Sequence, residues 1–262
     1  MKRLVFALAL LLPVAAAAQT EFGARASVEA NYKIAKGIHV YAEEELRVDQ
    51  KGLDNLRHTL GFTYKPFKNL KVGVGYTLIN SYSASYSAFK NPRHRFFADV
   101  SGSLYAGDFL FSLKERFQVT HRTGSFNVYQ NAPNAMVLKS KFTVKYKPTW
   151  AKAVPYVSFE MRTALNEPWG TAGTSLQWNS TGTKQYYDYT PAGYTHLYNN
   201  RYRGEVGVDI SFNKKHSLKP YLLLDFGSDY EIDTNAEGTR LFSAAYENYT
   251  KLSLGLSYVF SF

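Results

Sequence analysis

Twelve charged residues recur at similar depths on neighbouring extended segments of the chain: Glu43, Glu45, Arg47, Arg57, Arg95, Asp99, Arg116, Glu160, Arg162, Arg203, Glu205 and Asp209. Several are spaced by two, as in Glu43-x-Glu45-x-Arg47 and Arg203-x-Glu205, and an extended chain throws such residues onto one face. Carboxylates and guanidinium groups gathered on one surface can neutralise one another as interlocking ion pairs. Alternatively, their basic excess can draw anionic solutes along a polar channel. The sequence is compatible with both.

Catalysis asks for more. A hydrolytic serine needs a histidine within hydrogen-bond reach. His58 lies on the opposite, apolar face, but no serine sits two residues away, and Ser140 belongs to a distant segment. An acid-based alternative would draw on Asp49, Asp54 and His58, which are close only along the chain. A lipid- or peptide-hydrolysing activity, phospholipase-like or protease-like, is therefore the second functional expectation, and no catalytic set is assigned. The six His residues have no metal-ligand spacing and there is no Cys, so no metal or cofactor is expected. Gly73-x-Gly75 falls inside an extended segment, which rules it out as a dinucleotide loop. A formal charge of +10 spread around a lumen does not point to nucleic acid.

The elements that must position these residues are strands. Period-two alternation appears over 22–34, 38–49, 56–66, 70–79, 94–105, 109–120, 135–146, 155–165, 202–212, 218–226 and 251–262, each with an oily face and a polar one. Two formal charges, Glu44 and Glu115, fall on the oily faces. Connections alternate between short turns, at 35–37, 67–69, 106–108, 147–153 and 213–217, and longer loops, of which 166–199 and 227–250 are expected to be irregular. Tyr-rich loops carrying Tyr82, Tyr86, Tyr186, Tyr187, Tyr189, Tyr194 and Tyr198 could stack on a sugar or a partner protein, or form an aromatic girdle.

Charge excluded from one face, short turns alternating with long loops, and a terminal Tyr258-x-Phe260-x-Phe262 together predict an all-β, transmembrane, antiparallel up-and-down barrel. The terminal aromatics resemble the C-terminal signature of Gram-negative outer-membrane barrels, which implies recognition by the barrel-assembly machinery, and outer-membrane lipid is the expected surrounding. The lumen is expected to be either filled or a narrow, porin-like pore for small anionic solutes. Eleven segments sit awkwardly with the even strand number usual for bacterial barrels, so the expectation is ten to twelve, with the place of 22–34 open.

The first residues fit export. Met1-Lys-Arg3 precedes an apolar run ending in Ala15-Ala-Ala-Ala18, the pattern of a cleaved signal peptide over 1–18. The expected single barrel domain is then 19–262, and losing Lys2 and Arg3 lowers the formal charge from +10 to +8. The expected location is the Gram-negative cell outer membrane.

Several short stretches resemble an uncharacterised outer-membrane β-barrel family, the domain of unknown function DUF2490. They are Glu43-Glu-Glu-Leu-Arg47, Asp54-Asn-Leu-Arg-His-Thr-Leu-Gly-Phe-Thr-Tyr64, Val72-Gly-Val-Gly-Tyr76, His94-Arg-Phe-Phe-Ala-Asp99, Glu115-Arg-Phe-Gln118 and Pro155-Tyr-Val-Ser-Phe-Glu160. The resemblance implies a fold and a location but no activity.

Overall fold

The structure is a computed structural model and describes residues 20–148, 152–179 and 181–262. The leader expected over 1–18 lies outside the described residues. Alternating side chains cannot be satisfied by a helix, and the described residues fold as strands joined by turns and loops. In order these are β1 (Thr20–Ala35), β2 (Ile38–Asp49), β3 (Gly52–Phe67), β4 (Leu70–Ser83), the two-residue β5 (Ala88–Phe89), β6 (Arg93–Ala106), β7 (Phe109–Arg122), β8 (Asn134–Tyr146), β9 (Ala153–Trp178), β10 (Gln185–Ser211), β11 (His216–Thr234) and β12 (Arg240–Ser261). β5 pairs only with the end of β4, inside a loop. The other eleven close into one barrel, with β4 passing directly to β6 and β1 returning to β12.

Eleven strands that alternate in direction leave the first and last running the same way. The closing pair is accordingly parallel, from Thr20 opposite Thr250 to Asn31 opposite Ser261, and Phe262 adds a backbone bond of 2.9 Å to the Asn31 carbonyl. The odd segment count is thus real, and 22–34 belongs to a full wall strand rather than an appendage.

The barrel has its apolar residues outside. Leu60 is 63% exposed and Phe96 57%, whereas Asp99, Gln118, Ser158, Glu205 and Asp225 are buried within. Four inward glycines do not open the lumen. Each lies under an aromatic ring from the opposite residue of the next strand: Gly61 under Tyr41, Gly75 under Phe97, Gly207 under Tyr156 and Gly255 under Tyr221. A Cβ added at Gly61 or Gly75 would sit 2.3 Å from that ring. Gly73 leaves room for the Asp99 carboxylate.

The stretches expected to be irregular are strands. β9 leaves β8 after Ala164 and β10 leaves β11 above Arg201, yet β9 and β10 continue as a hairpin to the turn beginning at Asn179. β11 and β12 likewise continue to a turn at Asn235–Thr239. Neither face needs to be oily above the rim, so the alternation fades while Thr and Tyr still favour extended backbone. Register shifts crowd this part of the β9–β10 pair, and bulges of this kind bend and twist a strand. β10 thereby reaches across to β12, placing Tyr187 opposite Leu241. A small cluster of Tyr189, Ile232 and Leu241, flanked by Tyr187 and Tyr230, holds the two hairpins together.

Candidate functional site: the charged interior

Alternation delivers the inner face, and register decides which charges meet. Asp99 on β6 lies opposite Arg116 on β7 and accepts from its Nε and Nη2 at 3.1 and 2.6 Å. Lys114 Nζ adds a third contact at 3.1 Å. The Arg116 guanidinium also lies 4.0 Å above the Phe97 ring, so the ring that covers Gly75 supports this cluster too. Glu45 takes a two-pronged bond from Arg47, at 2.9 and 2.8 Å, while Arg57 stands off at 3.9 Å.

On the other side of the barrel the pairs reach further. Glu205 accepts from Lys141 at 2.9 Å, from the Tyr156 hydroxyl at 2.6 Å and from Lys219 at 3.2 Å. Asp209 pairs with Lys145 at 2.5 Å. Asp225 receives Arg203 through Nε and Nη2 at 2.6 and 2.9 Å, Arg25 at 3.4 Å and Arg201 at 3.7 Å. Glu160 binds Arg201 at 2.9 Å, with Arg203 at 3.8 Å.

Of the twelve expected residues, Glu43, Glu45, Arg47, Arg57, Arg95, Asp99 and Arg116 share a chamber of about 300 Å³. Arg47, Arg57 and Arg95 also line a smaller cavity with Arg162 and Arg203. Glu160, Glu205 and Asp209 are held in the pairs above. Sequence reading missed Arg201, Arg93 and Arg122, because its segments began or ended just short of them. Continuing the same parity finds all three, as in Arg93-x-Arg95 and Arg201-x-Arg203. Lys139, Lys141, Lys219 and Asp225 were on the polar face but outside the chosen twelve.

The interior is layered in sign. A vestibule of about 520 Å³ at the long-loop end is lined by six carboxylates, including Asp229, Glu231 and Glu247, and four cations. The cavity of about 150 Å³ beside it has nine Arg and Lys among its thirteen lining residues. The β7–β8 loop leans over this end. Asn127 Nδ2 donates to the Thr234 and Asn235 carbonyls at 3.2 and 3.1 Å, and Gln130 donates to Asp233 at 3.1 Å.

The two charges on the outer face are both partnered. His58 bonds Glu44 across β2 and β3, and Ser140 donates to Glu115 at 2.6 Å across β8 and β7. Between His58 and Ser140 lie β4, β6 and β7, so the structure does not bring them together. His94 and His121 occupy outward positions in the same row, bonded to Tyr76 at 2.7 Å and Asn134 at 2.8 Å. No group of three or more metal-binding side chains occurs among the described residues.

Of the three terminal aromatics, Tyr258 meets His216 at 2.5 Å, and Phe260 and Phe262 contact edge to face at 4.2 Å. Above the opposite rim, His196 stacks between Trp169 and Tyr198 at 4.5 and 4.8 Å and bonds the Tyr246 hydroxyl at 2.8 Å. Burial there holds its imidazole pKa below the usual value. The loop tyrosines divide accordingly. Tyr186 and Tyr189 are buried, while Tyr86 projects into solvent.

Residues 22–187 match a family described as Protein of unknown function (DUF2490). A comparison with curated proteins gives no match.

Proposed function

The chain belongs to the DUF2490 family of proteins of unknown function, and from there we propose that it is an integral outer-membrane barrel whose interior is a narrow, anion-preferring path for small solutes. The observation that carries this reading is the inversion of polarity: an exposed wall of Leu, Val, Phe and Tyr around a buried charged interior. Such a wall is costly against water and suited to lipid, where a mid-depth Arg or Lys costs about 2–4 kcal/mol. Most wall strands are 12–16 residues long, enough for the ~9–11 that cross a bilayer. Export by the leader and insertion through Tyr258, Phe260 and Phe262 complete the proposal, with the short turns on the periplasmic side.

Narrowness follows from the contents. Barrels of about eight strands are filled by side chains and those of sixteen or more hold water channels. Eleven lies between, and the pairs at Asp99, Glu205 and Asp225 occupy much of the space. Cationic groups exceed their carboxylate partners, which favours anions. A structural barrel without conduction is the second reading, favoured by the extent of that pairing. The hydrolase reading has the His58–Glu44 pair in its favour but no serine beside it.

Single-channel recording in planar bilayers tests the choice. The expected result is a small anion-selective conductance whose selectivity falls or reverses in Arg95→Glu. A sealed bilayer would overturn the path. Lipid hydrolysis lost in His58→Ala would replace it with the hydrolase.

A further inference from the structure

The cavity of about 150 Å³ in the upper interior spans seven strands, β2, β3 and β6 to β10, and no carboxylate is among its lining residues. That is unusual for this barrel, where nearly every other internal cation faces an acid. Three of its nine cations pair closely with acids outside it, Arg47 with Glu45 and Arg201 and Arg203 with Glu160 and Asp225, and Arg57 reaches Glu45 only at 3.9 Å. The other five have no salt bridge among the described residues. Arg57 bonds the Asn55 side-chain oxygen at 2.8 Å, Arg93 the Ser81 hydroxyl at 2.7 Å and Arg95 the Thr120 hydroxyl at 3.0 Å. Lys139, Arg122 and Arg162 have no salt bridge or side-chain hydrogen bond among the described residues. The Nε atom of Arg122 is buried without a hydrogen-bond partner, whereas that of Arg201 faces Asp225 at 3.7 Å.

Buried donors are normally satisfied, and a buried unpaired nitrogen calls for a partner. Like charges packed this closely in a confined space also repel unless a counter-charge lies between them. Guanidinium forks favour planar or tetrahedral oxyanions, which accept two bonds from one fork. A cavity near 150 Å³ holds a molecule the size of benzene, and so a tetrahedral oxyanion with a water or two. A single chloride would leave most of the donors unanswered.

We propose that this cavity is a binding site for a free phosphate-class dianion, either inorganic phosphate or the phosphate of a small monoester, held by Arg57, Arg95, Lys139 and Arg162 with the Nε group of Arg122. The inference deepens the anion-preferring path and rests on that reading for access from solvent. It does not need the site to conduct. The acidic vestibule beside it makes the basic charge local to this cavity rather than a field along the whole lumen.

The test is equilibrium binding of radiolabelled inorganic phosphate to the detergent-solubilised full chain, in chloride buffer, with glycerol 3-phosphate as competitor. Saturable binding of about one phosphate per barrel is expected, reduced at least tenfold in Arg95→Gln and in Lys139→Gln. Arg162→Gln, which removes no ion pair, serves where either variant fails to fold. Competition by glycerol 3-phosphate identifies the monoester as an accepted form, and its absence restricts the site to the free ion. Unsaturable binding, binding no stronger than that of chloride, or binding unchanged in folded variants would overturn the site. Conductance on the same preparations separates the two ideas: phosphate bound by a sealed barrel keeps the site and removes the path, and conductance without binding does the reverse.

Discussion

Asp225 is the acid on which the interior depends most, and Asp225→Asn is the most informative perturbation of the fold. Its side chain is 4% exposed and receives Arg203 through two nitrogens, with Arg25 and Arg201 within 3.4 and 3.7 Å. Neutralising it leaves three guanidinium groups with one acid within 4 Å, Glu160, which already serves two of them. Removing one member of a buried pair costs about 3–5 kcal/mol, because the remaining charge is stranded. The lumen holds room for water, which screens the stranded charge, so about 3 kcal/mol is expected for Asp225→Asn. Removing the partner as well should recover part of that. Arg203→Gln with Asp225→Asn should therefore be less destabilised than the sum of the single variants by more than 1 kcal/mol. Urea unfolding in detergent micelles, followed by the shift in electrophoretic mobility of the folded barrel, gives all three values. A single-variant cost below about 1 kcal/mol, or strict additivity in the double variant, would refute the idea that these pairs hold the interior together.

Two further outcomes follow from particular contacts. Gly61→Val should cost about 1–3 kcal/mol by overpacking the Tyr41 ring, and adding Tyr41→Ser should restore most of it; equal unfolding midpoints for wild type and Gly61→Val would contradict the ring-over-glycine arrangement. Because burial lowers the His196 pKa, its neutral form is the one that fits the aromatic stack. The stabilisation is present above the ordinary pKa of about 6.5 and is lost as pH falls through that value and below. Trp169 fluorescence should report loosening of the long hairpins over that range in wild type and not in His196→Phe, and an identical pH profile in both would count against it.

The inner face was legible because a strand must alternate and because the polar residues keep one parity over several turns of the barrel wall. Asp99 and Arg116 could be placed on that face from sequence, but their meeting depends on register, which alternation alone does not specify. The reach of β9 to Trp178 and of β10 from Gln185 escaped for a different reason. Residues such as Thr171, Thr174 and Tyr187 stand above the rim, where no face has to be oily, so the periodic signal used to recognise strands vanishes while the strands continue. Arg93, Arg122 and Arg201 were lost at just these boundaries, and with them the strength of the basic cavity. The count of eleven was visible in the segments themselves; the expectation of an even number obscured it, since parity alone makes a parallel seam the natural closure.

That seam also fixes when the barrel can finish forming. Each of the ten antiparallel neighbours of the wall is joined by one connection, so those pairs can zip in sequence order. Thr20 meets Thr250 across a sequence separation of 230 positions, the most expensive loop to close. Until then the polypeptide is a curved open sheet with two unpaired edges, β1 and β12, each able to pair with a wrong partner. Closure is then expected to be the slow step of assembly, and a segment able to mimic β1 or β12 is expected to arrest the protein just before it.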